Sequence, residues 1–74
     1  MLNDNVCLTS FGRFIREGRE RQGLYQSQIA EQIGITQQAY SKIELGKLNV
    51  DFITALKICE ILHLDISDYI KTYL

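Results

Sequence analysis

Apolar positions recur along this chain with the spacing of helices, and no stretch shows the sustained alternation of a strand. Over residues 10–22, Phe11, Phe14, Ile15, Gly18 and Gln22 share one arc of a wheel turning ~100° per residue, while Arg13, Arg16, Glu17, Glu20 and Arg21 occupy the other. Ser10 is the expected N-cap of this helix and Gly23 the residue that closes it. A second helix is predicted over 26–33, with Ile29, Ala30 and Ile33 inward and Gly34 at its end. Tyr25 stands where Ser or Thr would cap better, a deficit on the order of 1 kcal/mol if nothing else satisfies the free amides. Thr36 caps a third helix that runs to Gly46, with Ala39, Tyr40 and Ile43 inward. Asp51 caps a fourth, to about Leu62, that is apolar almost all round and so needs cover on several sides. Asp65, with Asp68 in the first turn, opens a fifth whose stripe is Ile66, Tyr69, Ile70, Tyr73 and Leu74. The prediction is an all-α, five-helix domain over residues 10–74. Residues 1–9 carry no period and are expected to be a flexible N-terminal extension.

The third helix has a second face. Gln37, Gln38, Ser41, Lys42 and Leu45 fall on one continuous arc opposite the apolar one. Two amides and an ammonium are groups that pair with base edges in a major groove, where Gln suits adenine and Lys suits guanine. A preceding helix laid across this one through Ile29, Ala30 and Ile33 would set its angle, which is the logic of a helix-turn-helix. The competing reading of Gln37, Gln38 and Lys42 is a solvated polar face. Arg19 and Glu44 each sit on the shoulder between polar and apolar arcs, and an anion in the last turn of a helix is mildly unfavourable. Both oddities are resolved if the two form a bidentate pair that ties the first helix to the third.

Composition narrows the function further. The chain has 74 residues, 46% hydrophobic and 23% charged, with no proline, which suits one small helical domain with room for a core and none for a catalytic cleft. The formal net charge is −1, so general attraction to DNA is weak and specific contacts must carry more of the binding. The balance is uneven: residues 1–50 carry +1 and residues 51–74 carry −2. Cys7 and Cys59 are two cysteines with one histidine, which is too few for a metal site; no metal and no cofactor are expected. His63 is isolated beside an apolar helix, so an enzyme is not expected. No stretch approaches the ~18 apolar residues of a membrane span, and no signal-peptide layout is present, so a cytoplasmic protein is expected.

With these residues in view, the chain resembles the Cro and lambda-repressor type of helix-turn-helix domain, also called the xenobiotic response element family. The resemblance covers about Phe11 to Ile70 and rests on GRFIREGRERQGLYQSQIA, GITQQAYSKIELGK and ALKICEILHLDISDYI. It implies that Gln26 contacts a phosphate from the second helix's N-terminus, that Gln37 and Gln38 read bases, and that Lys42 faces a base or a phosphate. Ser41 and Lys47 are assigned to phosphates, and the Arg19–Glu44 pair to structure. Three departures stand out: Tyr25 replaces the usual cap, the loop near Val50 lacks a proline, and His63 stands where glycine is common and must accept a left-handed backbone or alter the turn. The implied function is a sequence-specific transcriptional regulator of double-stranded DNA, a repressor working as a homodimer on a palindromic operator. Tyr69, Tyr73 and Leu74 are the candidate dimer contacts, with simple core cover as the other reading of the two tyrosines. The alternative is a protein-interaction module of the same fold with a protein partner, such as an antitoxin or an antagonist of another regulator.

Overall fold

Five helices and no strand make up residues 2–74, the residues described by the computed structural model: α1 (Asp4–Arg21), α2 (Gln26–Ile33), α3 (Gln37–Glu44), α4 (Phe52–Ile61) and α5 (Ile66–Tyr73). The caps explain most of the boundaries. Thr36 Oγ1 accepts from the Ala39 amide at 3.1 Å, and Asp51 Oδ1 from the Thr54 amide at 2.7 Å. Asp65 Oδ1 accepts from the Ser67 amide at 2.9 Å. Each bond satisfies a donor that the helix itself leaves unpaired. Tyr25 supplies no such side-chain bond to α2; instead Gln28 Oε1 reaches back to accept from the Tyr25 amide at 2.7 Å, half of a capping box. The expected capping deficit is thereby reduced from the other end of the turn.

The first helix begins at Asp4, not after Ser10, and this corrects the expected boundary between extension and domain. Asn3 is the cap, its side chain accepting from the Val6 amide at 2.9 Å, and Asp4 lies in the first turn where a negative charge suits the helix dipole. These extra turns are held by distant parts of the chain. The Tyr69 hydroxyl donates to the Cys7 carbonyl at 3.0 Å and lies 3.0 Å from the Ser10 hydroxyl. Met1, also assigned to the flexible extension, lies outside the described residues.

Ile15, Ile29, Tyr40, Ile58 and Leu62 are fully enclosed, so α1 to α4 each send at least one side chain to a common centre. Tyr69 closes it from α5, its ring edge-on to Phe11 at 5.4 Å and 5.6 Å from Phe14. At 7% exposure Tyr69 belongs to the protomer's own core, one of the two readings, core cover or dimer contact, that the sequence leaves open. Tyr73 is half-buried, stacked on Tyr69 at 5.8 Å and donating from its hydroxyl to Glu17 at 2.9 Å. Of the three candidates, Leu74 is the most available, at 46% exposure. Helix α4 is not covered all round. Phe52 and Ile53 in its first turn are 69% and 59% exposed.

After α4, His63 takes the left-handed conformation at φ 55°, and this lets the Leu64 amide reach the Cys59 carbonyl at 2.8 Å. A β-carbon makes that region costly, so the residue is held there by the two capping bonds it permits and by Leu64 packing against the core. No helix among the described residues is long and apolar enough to cross a membrane.

Candidate nucleic-acid interface

The turn between α2 and α3 is set by Gly34, left-handed at φ 78°, whose conformation allows the Ile35 amide to bond the Ala30 carbonyl at 3.0 Å. From there α3 presents two contrasting sides. Tyr40, Ile43 and Glu44 are buried, while Gln37, Gln38 and Lys42 are exposed and Ser41 is half-buried. Among the described residues the side chains of Gln37, Gln38 and Lys42 make no hydrogen bond to the protein, so five amide and ammonium donors and acceptors stay open on one helical face. Gly46 ends the helix at φ 73°, and the Lys47 amide caps the Lys42 carbonyl at 2.9 Å, leaving the Lys47 side chain exposed just beyond.

Behind that face, the orientation of α3 is fixed to α1 in two ways. Arg19 Nε donates to Glu44 Oε2 at 2.7 Å and its Nη2 donates to Oε1 at 3.0 Å, a bidentate fork. The third arm, Nη1, donates to the Leu24 carbonyl at 2.9 Å, so one guanidinium also fixes the approach to α2. Backbone contact adds a second restraint. Gly12 lies against the Glu44 carbonyl so closely that a β-carbon there would collide with it and sit 2.7 Å from the Ile43 carbonyl oxygen. Gly46 meets Thr9 in the same manner, with 2.7 Å from its β-carbon position to the Thr9 Cα. The apolar pattern did not reveal these contacts. A glycine inside an amphipathic helix, as Gly12 is, was the available signal, since its helix-propensity cost of roughly 1 kcal/mol calls for a packing reason.

Gln26 is not a free side chain in this structure. Its Nε2 donates to Glu44 Oε1 at 3.1 Å, so the residue assigned to a phosphate also belongs to the ion-pair network. Burial by itself would push the Glu44 carboxyl up, but Arg19, the neighbouring Tyr40 hydroxyl and Gln26 together outweigh it and hold the group below its ordinary value. Arg19 is shifted upward, chiefly by its bond to Glu44. Tyr40 lies in the same neighbourhood. Burial, reinforced by the nearby Glu44 carboxylate, drives its phenol far above the ordinary range, so it stays a neutral hydroxyl. That hydroxyl is closed to solvent and makes no hydrogen bond.

Cys7 is half-buried and Cys59 buried, and both are free thiols. Leu45, at the end of α3, and Leu48, in the loop that follows, leave apolar surface exposed, as Phe52 and Ile53 do at the start of α4.

The geometry described above coincides with a family match. The helix-turn-helix family aligns with residues 15–69, from the middle of α1 to the buried tyrosine of α5. The chain is also 38% identical over 52 residues to the SPbeta prophage-derived uncharacterized HTH-type transcriptional regulator YonR of Bacillus subtilis (strain 168), an alignment covering 70% of this chain and 48% of the relative. The chain therefore spans about half the length of that relative. With five helices, a glycine turn between α2 and α3, and a match over most of its length, the chain belongs to the helix-turn-helix family and has its lambda-repressor-like, all-α fold.

Proposed function

We propose that this domain is a sequence-specific DNA-binding transcriptional regulator, a repressor that acts in the cytoplasm as a homodimer on a palindromic operator and performs no catalysis. One observation carries the reading: Gln37, Gln38 and Lys42 stand exposed and unbonded on the outer face of a helix whose inner face is locked to α1 by an ion pair and by backbone contact. A side chain reads a base edge only when its Cα is held in place, and this helix is held. Gln26, Ser41 and Lys47 border that face and are assigned to phosphates, which set register without reading sequence.

Selection of bound duplexes from random DNA tests the proposal, with an enriched palindrome expected. Gln38→Ala should then lose roughly 1–3 kcal/mol of discrimination at one base pair, while Gln26→Ala should weaken every site alike. Normal binding by both variants would remove this face from the interface. A dimer reading two half-sites places its α3 helices ~34 Å apart. The exposed Leu45, Leu48, Phe52, Ile53 and Leu74, together with the half-buried Tyr73, support self-association. The same exposed Phe52 and Ile53 favour a second reading, an interaction module that binds another protein. Sedimentation separates the two, since a monomer without DNA affinity would favour the module.

A further inference from the structure

Helix α4 turns one face inward through Ala55, Ile58, Cys59 and Leu62, and leaves Ile53, Leu56, Lys57 and Glu60 on the opposite face. That opposite face forms one side of a groove of about 670 Å³, completed by Ile33 at the end of α2, Leu64 before α5 and Ile66 in its first turn. The two ends of the helix differ. Near its N-terminus Ile53 stands out at 59% exposure, while near its C-terminus Ile61, Leu64 and Ile66 are half-buried, pack down against the core and leave a recess. Ile53 cannot fill that recess within its own chain, because it lies about 12 Å from Ile61 along the helix axis. A protrusion and a recess on one surface complement a second copy of the same surface.

The charges point the same way. Lys57 and Glu60 lie between the two ends, both exposed, and among the described residues neither side chain makes an ion pair or a hydrogen bond. Asp65, the other carboxylate at the groove, is already committed to the cap of α5, accepting from the Ser67 amide at 2.9 Å. A surface shaped for an acidic or a basic partner would offer one free sign. This one offers one of each, which is the arrangement that pairs with its own copy. We propose that two copies of the chain meet through this face of α4, antiparallel about a two-fold axis that passes between Lys57 and Glu60. Ile53 of each copy then enters the recess beside Leu64 of the other, and Lys57 of each faces Glu60 of the other. The inference rests on the homodimer reading above and gives it a surface, selecting α4 over Leu74.

Sedimentation equilibrium of the full chain over a range of concentrations reads the association directly. Ile53→Asp should weaken the dimer roughly a hundredfold, because the two-fold axis counts each lost apolar contact twice. The side chain is exposed, so the far-ultraviolet circular dichroism of the variant should match the parent. Lys57→Glu and Glu60→Lys, each alone, place like charges opposite each other at both symmetric contacts and should weaken the dimer roughly tenfold. Mixing these two variants should restore association as a heterodimer, in which both 57–60 contacts again join opposite charges. An interface elsewhere on the surface gives no such recovery. The inference is overturned if the parent is a monomer at every concentration, if Ile53→Asp associates as tightly as the parent, or if the mixed variants associate no better than either alone. A monomeric parent would sink the homodimer reading as well. A dimer that survives Ile53→Asp would sink this inference alone and leave the homodimer reading in place.

Discussion

Helix α1 packs against α3 on one side and α5 on the other, and the two junctions are built from different materials. Toward α3 backbone meets backbone, with Gly12 under the carbonyls of Ile43 and Glu44 and Thr9 against Gly46, and one side-chain ion pair, Arg19 with Glu44, is added to it. Toward α5 the contact is side chain on side chain, with Phe11, Phe14, Tyr69 and Tyr73 clustered at ring separations of 5.4 to 6.4 Å and Gly18 facing the tip of Leu64. Side chains can change rotamer and repack, whereas two backbones in contact can only move as whole helices. The first junction therefore sets an angle, and the second supplies burial. The helix that carries Gln37, Gln38 and Lys42 is attached through the junction that tolerates least adjustment.

Substitutions on each side should separate the two. Glu44→Ala strands the Arg19 guanidinium and should cost about 4 kcal/mol, read from urea unfolding. The acid limb of stability offers a related measurement. Glu44 titrates below its ordinary 4.5 when folded, so the stability it contributes is complete above that value and is lost as pH falls through the lower folded value. Asp51 and Asp65, held down by the backbone amides of Thr54 and Ser67 that they cap, act in the same direction. Glu44→Gln should flatten the limb without abolishing it. Next in size is Gly12→Ala, expected to cost about 3 kcal/mol because the new methyl meets carbonyls that cannot step aside. Tyr69→Phe removes the bond to Cys7 and should cost about 1 kcal/mol. Gly18→Ala should fall within about 1 kcal/mol of the parent, since the Leu64 tip can swing away and alanine returns helix propensity. Equal losses for the two glycine variants would erase the distinction between the junctions.

The sequence exposes what is local. Caps at Thr36, Asp51 and Asp65, the glycine turn at Gly34 and the left-handed His63 all follow from neighbouring residue types. The shoulder positions of Arg19 and Glu44 point to a pairing, and the structure holds the two at 2.7 Å. Contacts between distant segments leave no such trace. The first turns of α1 look aperiodic because their exposed Asp4, Asn5 and Val6 form no apolar stripe; Thr9 against Gly46 and Cys7 against Tyr69 supply the order that a local pattern would otherwise reveal. For Tyr69 the sequence leaves core cover and dimer contact undecided, since the partner that accepts its hydroxyl lies 62 residues away. The bond between Gln26 and Glu44 was hidden for the same reason: it depends on where α2 crosses α3.

That 62-residue span also has a kinetic meaning. Closing a long loop costs chain entropy before any contact rewards it, whereas α2 and α3 are joined by a short turn and can dock early. The Tyr69 contact should accordingly form after the rate-limiting step, so Tyr69→Phe should speed unfolding in stopped-flow measurements and leave the refolding rate nearly unchanged. The domain would then open from its C-terminal helix, and the α2–α3 unit would be the last part of the chain to lose its shape.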